Sequence, residues 1–210
     1  MPLRKKESKK FLVHLTREHI QNAVTRLITK NGVPGLTMEK VALEAGVAKG
    51  TLYRHFKTKS ELLRATMDSC ISRLNEELFA ILDQDSPPDK RLEEMTVCHF
   101  KFFDEHRDFF RVLLYERSRV QSKLGRCRSS RYQTFLEKIA AVVDEGIKLG
   151  LFRSLDSLKI ASIIAEANIA VISHRIFSDH PDSTEKDARI LSSVFLHGIS
   201  RASSKSKVNE

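Results

Sequence analysis

Between Ala45 and Leu63 the chain reads AGVAKGTLYRHFKTKSELL, a stretch dense in hydrogen-bond donors and nearly free of negative charge. Lys49, Thr51 and Arg54 bring an ammonium, a hydroxyl and a forked guanidinium, groups that read base edges in a DNA groove. Tyr53, His55 and Lys59 suit phosphate oxygens, and Thr37 upstream offers its hydroxyl beside the free N–H groups of a helix start. Gly50 leaves room for backbone to come close to a duplex. A solvated face kept for solubility would use similar residues, so the distribution of charge has to be weighed. Residues 1–60 hold 13 Lys+Arg against 4 Asp+Glu, residues 61–210 hold 23 of each, and the whole surplus of +9 therefore sits in the N-terminal segment. Basic side chains that neutralise phosphates release condensed counterions. The partition points to a polyanionic partner, nucleic acid ahead of a membrane surface, with a merely solvated basic surface as the alternative.

Elsewhere the residues that do covalent chemistry are poorly placed for it. Cys98 and His99 are adjacent on an expected helix and so point about 100° apart, which does not make a thiolate–imidazole pair. His174 and His180 have no metal-ligand spacing, and no glycine loop of the phosphate-cradling kind occurs. Cys70, Cys98 and Cys127 are far apart with no CxxC pattern, which fits a reducing, cytoplasmic compartment and neither a disulfide framework nor a zinc site. No apolar run approaches the roughly 20 residues of a membrane span, and the basic N-terminus is not followed by the apolar stretch of a secretory signal. No enzymatic activity, cofactor, metal or membrane partner is expected. Five of the 12 phenylalanines fall in HFKFFDEHRDFF. They either pack a core between neighbouring helices, or some of Phe102, Phe103 and Phe109 line an apolar ligand cavity with Met67, Cys70, Ile71, His99 and Tyr132.

The elements that must position these residues are all helices. Apolar residues recur at spacings of three and four, and no stretch alternates with period two. The sequence predicts a flexible basic arm over 1–15, a three-helix head over 16–57, a helical body over 58–202 and a polar tail over 203–210. Thr16 is the expected N-cap of the first helix, which ends before Gly32 in the breaker NGVPG. Thr37 opens a short helix over 38–45, Gly46 stops it, and a third helix follows over 48–56. On a helical wheel Ala48, Leu52 and Phe56 share the side that packs on Val41, Ala42 and Ala45. Thr58-Lys59-Ser60-Glu61 has the form of a capping box for a long helix to about Leu82. Further helices are expected at 90–104, 107–117, 124–149, 156–178 and 184–201, with 117–131 ambiguous between helix and loop.

Two short helices joined by a glycine-containing turn form a helix–turn–helix, and its second helix has the width to enter the major groove. The segment TMEKVALEAGVAKGTLYRHFKTKSELL, Thr37 to Leu63, resembles the DNA-binding signature of the TetR family of bacterial transcriptional regulators. Thr37, Val41, Gly46, Lys49, Gly50, Thr51, Tyr53, His55, Phe56 and Lys59 all stand where that signature has them. Ala48 departs from it, replacing a frequent serine cap. The resemblance implies an all-α fold of about nine helices and a cytoplasmic homodimer on a pseudo-palindromic operator. It also implies an apolar or aromatic inducer held in the body, or else a DNA-bound scaffold that acts through a protein partner. The dimer it implies is a bundle of the last two helices, built here on Ile164, Asn168, Val171, Ile172, Leu191, Val194 and Phe195.

Overall fold

Helix-favouring residues fill the chain between its Pro, Gly and Asx punctuation, and every regular element among the described residues is a helix. The computed structural model describes residues 2–111, 130–179 and 181–199, with backbone alone at 2–12 and 14. The order is α1 (Pro2–Asn31), α2 (Met38–Glu44), α3 (Lys49–His55), α4 (Lys59–Leu82), α5 (Pro88–Glu105), α6 (Ser130–Lys148), α7 (Ser157–Phe177) and α8 (Thr184–Ile199). A helical stretch over 107–111 runs to the edge of the described residues. Most of the ambiguous 117–131 stretch, Cys127, His180 and the 203–210 tail lie outside them.

The residues fall into two compact units, Met1–Arg73 with His106–Ser122, and Leu74–Glu105 with Lys123–Glu210. In the first unit Ile20, Ala23, Val24 and Ile28 of α1 are fully buried, with Val41, Leu52, Phe56 and Leu62 from the next three helices. A side chain of that size stabilises the head by roughly 1.5–3 kcal/mol when fully buried. Polar ties fix the angles between helices. Arg26 Nε donates to Glu44 Oε1 at 2.8 Å, and Gln21 Nε2 donates to the Ala65 carbonyl at 2.8 Å.

One expected boundary is corrected here: α1 does not start at Thr16 after a flexible arm but at Pro2. Proline suits a first helical position, and the Lys- and Leu-rich residues after it are good helix formers with no breaker among them.

In the second unit α5, α6, α7 and α8 pack around Met95, Phe100, Ile139, Ala161, Ile164 and Ala165. Gly146 in the last turn of α6 lies directly under the Phe152 ring. Arg175 of α7 is buried and gathers its neighbours. It binds Asp104 of α5 through Nε at 3.2 Å and Nη2 at 2.6 Å, the Asp182 carbonyl at 2.9 Å, and the Asp187 carboxylate of α8. Burial works against its charge, yet the hydrogen bonds to Asp104 and Asp187 hold the guanidinium's pKa above its ordinary value. Helix α7 has a mean hydropathy of 1.4 over a membrane-length window, high enough by length and composition alone for a span. Its apolar residues are interleaved with serines and with a few charged side chains, so no unbroken run announces it.

Candidate nucleic-acid interface

The turn that sets α3 against α2 is built from backbone. Val47 N–H donates to the Ala42 carbonyl at 2.9 Å and Gly46 N–H to Leu43 at 3.1 Å, the paired bonds of a Schellman motif. Gly46 has φ +64°, the left-handed region where a side chain is strained. Thr37 Oγ1 accepts from Lys40 N–H at 3.2 Å and so caps α2. Ala48 has the extended backbone of an N-cap, φ −64° and ψ 145°, but no side-chain acceptor. Thr58 Oγ1 accepts from Glu61 N–H at 3.1 Å, while the Glu61 carboxylate reaches Lys57 N–H at 2.7 Å. The capping box thus closes on the residue before the cap.

These caps orient α3 so that Leu52 is buried inside while Lys49, Gly50, Tyr53 and Arg54 are exposed. Thr51 is half-buried. The wheel's third inward position differs from expectation: Ala48 is exposed, because it precedes the first turn and Val47 folds back toward α2. A Cβ placed on Gly50 would meet nothing within 4 Å. Nothing among the described residues therefore requires glycine there.

The outward face is electrostatically prepared. Lys49 pairs with Glu39 of α2 at 3.5 Å, both largely exposed. Its own backbone N–H first, and Lys49 second, hold the Glu39 carboxyl below its ordinary range. Such an exposed pair adds little to stability and yields readily to a stronger anion. Lys59 Nζ donates to the Val33 carbonyl at 2.7 Å, which ties the start of α4 to the turn after α1 and leaves its remaining N–H groups to other partners. His55 is half-buried, and its Nε2 is enclosed with no partner. Burial first, then the Arg54 and Arg17 charges, push its pKa down, so it stays neutral. Arg17 of α1 lies over the Phe56 ring, 4.5 Å from its centre. Arg17, Glu39 and the Val33 carbonyl are partners that no local pattern announces.

The expected ligand residues divide between the units. Met67, Cys70, Ile71 and Phe109 belong to the first, where Cys70 and Phe109 are buried. His99, Phe102, Phe103 and Tyr132 belong to the second. There the buried His99 ring lies 5.6 Å from Phe103 and 6.0 Å, edge-on, from Phe135, centre to centre. Its Nδ1 has no hydrogen-bond partner, and burial lowers its pKa to about 4. Phe135, 25 residues beyond the end of the phenylalanine cluster, is the member that spacing did not supply. Phe102 lines a surface groove of about 580 Å³ with Glu77, Lys90, Glu94 and Cys98. Tyr132 donates its hydroxyl to Glu166 at 2.7 Å. Cys98 turns away from His99 toward Glu77, 3.8 Å off, and burial, then the Glu77 charge, raise its thiol to about 11.

Of the expected dimer residues, Ile164, Asn168 and Ile172 are buried within the single chain, Val171, Leu191 and Phe195 are half-buried, and Val194 is 64% exposed. Other apolar residues of α7 and α8 also face outward, Ile163 and Ile190 at 54% and 55% exposure with Leu158 and Phe177 at 44% and 49%. Val171, His174, Ile190, Leu191 and Val194 line a shallow groove of about 240 Å³.

Residues 20–66 match the profile of the bacterial regulatory proteins of the tetR family. The nucleoid occlusion factor SlmA of Shewanella woodyi is 27% identical over 177 residues, which span 79% of this chain and 86% of SlmA. Among solved structures, the transcriptional regulator FadR of Bacillus subtilis in complex with stearoyl-CoA aligns with a TM-score of 0.70 at 20% identity, over 87% of this chain and 98% of FadR. The SmeT–triclosan complex aligns with a TM-score of 0.72 at 22% identity, over 90% of this chain and 93% of SmeT.

Proposed function

We propose that the chain, whose residues 20–66 match the bacterial tetR-family profile and whose all-helical fold is that of solved regulators, is a cytoplasmic, dimeric repressor released from its operator by a small apolar or aromatic ligand. The observation that carries the DNA-binding reading is the sidedness of α3. Leu52 faces inward, and Lys49, Gly50, Tyr53 and Arg54 form an outward face, flanked by the half-buried Thr51, with no acidic residue. Lys49, Thr51 and Arg54 read base edges, Tyr53 and Lys59 hold phosphates with Thr37, and His55 positions the end of α3. The exposed apolar residues of α7 and α8, Ile163, Ile190 and Val194 among them, support pairing of two chains, which would set two heads on a two-fold site.

His99 supports the ligand step. A neutral, unpartnered imidazole nitrogen between two aromatic rings suits a molecule that is apolar apart from one hydrogen-bonding group. Triclosan, bound in the SmeT complex, is a probe of that kind, and the stearoyl-CoA of the FadR complex adds one with a long apolar chain on a charged head. Release requires the ligand to bind the DNA-free state more tightly, since only that difference shifts the population. The extended similarity to SlmA favours a second reading, a DNA-bound factor that acts through a protein partner.

The test is selection of bound duplexes from a random pool, repeated with each probe. A two-fold symmetric consensus is expected, with Thr51→Ala changing preference at particular base pairs and at least one probe raising the Kd of the selected duplex. No enrichment would sink the DNA reading. Enrichment without release by any apolar probe would favour the partner-acting one.

A further inference from the structure

Helix α1 is longer than the head it packs on. Its buried positions Ile20, Ala23, Val24, Leu27 and Ile28 occupy one arc of the helix. At 100° per residue, a straight helix carries that same arc back through positions 5, 6, 9 and 10. All four are lysine. One continuous face therefore changes from apolar to cationic, and the change falls where packing stops: Val13, in the same arc, is already 45% exposed. In the same arc Arg17 lays its guanidinium over Phe56 at the C-terminal cap of α3. Residues 2–16 extend past that point by about 22 Å at ~1.5 Å per residue. The single acidic residue among them, Glu7, falls outside the arc.

Given the DNA-binding reading above, we propose that this lysine face of α1 is a second phosphate-contacting surface, following the duplex backbone beside the groove that α3 enters. Charge complementarity selects the partner, and continuity with α3 through the Arg17–Phe56 contact sets the place. Lysine is a hydrated point charge on a flexible stem, suited to backbone tracking without sequence readout. The face adds affinity equally on all sequences, and α3 alone chooses among them.

The experiment uses the full chain with Lys5, Lys6, Lys9 and Lys10 all changed to Gln, and a second variant with all four changed to Arg. Binding to a mixed-sequence duplex of about 40 base pairs is followed by anisotropy over a range of KCl; each neutralised phosphate contributes about 0.9 to the salt slope. The Gln variant should bind with a slope shallower by roughly 3–4 units per chain, and the Arg variant should keep the original slope. Selection from a random pool should return the same consensus for all three proteins. An unchanged slope in a Gln variant that still binds DNA overturns the proposal and leaves the α3 reading standing. So does an unchanged slope joined to lost binding of phosphatidylserine vesicles, which assigns the face to a membrane. If the unaltered chain binds no duplex, both readings fall.

Discussion

Ala48 has the backbone of a helix cap without the oxygen of one. A serine in that extended conformation would accept from the free N–H groups of the α3 first turn. Ala48→Ser should therefore stabilise the protein by about 1 kcal/mol, seen as a higher urea midpoint at unchanged slope. A lower midpoint would mean that the exposed position is constrained by something other than capping. This weak point was legible in the sequence because capping depends on the identity of one residue. The state of His55 was not. Its neutrality depends on burial and on Arg17, 38 positions earlier in the chain. The same holds for Lys59, whose ammonium finds the Val33 carbonyl 26 residues away. A lysine in a sequence shows that it carries charge, and only the fold shows what that charge already holds.

Helices, by contrast, were largely readable, since periodicity and caps are local. Thr37, Gly46 and Thr58 mark boundaries by chemistry that acts within five residues. Reading failed where local signals are ambivalent or where a neighbour decides. Lysine and glutamate serve a solvated helix as well as a mobile arm, so the true start of α1 was hidden. On α7 the pattern could not tell Ile163 from Ile164, and packing turned the second inward and the first out. Gly146 is the sharpest case at this scale. Alanine there gains up to about 1 kcal/mol in helix propensity, but its Cβ would overlap the Phe152 ring. Overpacking of this kind costs about 1–3 kcal/mol, so Gly146→Ala should lower Tm. A raised Tm would show that the ring swings aside freely.

For the molecule as a whole, acid should act through His99. Its folded pKa of about 4 lies below the ordinary 6.5 because burial disfavours the charged ring. The unfolded chain takes up the proton first, so the stability tied to the neutral ring is fully present above pH 6.5 and is lost as pH falls toward 4. Between pH 7 and 5 the loss is about 2 kcal/mol. Urea midpoints for the natural chain and for His99→Phe at the two pH values test this, and equal pH dependence would remove His99 as the cause. The all-α class and the placing of positive charge in the first 60 residues were open to sequence reading, because both are sums over many residues. The pairing of His99 with Phe135, or of Arg175 with two aspartates, depends on single encounters across the fold. Arg175 also limits how the second unit can rearrange. Its guanidinium is keyed to α5 and α8 at once, and stripping either carboxylate leaves part of a buried charge unpaired. Helices α5, α7 and α8 are therefore geared together like wheels pinned to one axle, and a force that turns one of them has to turn all three.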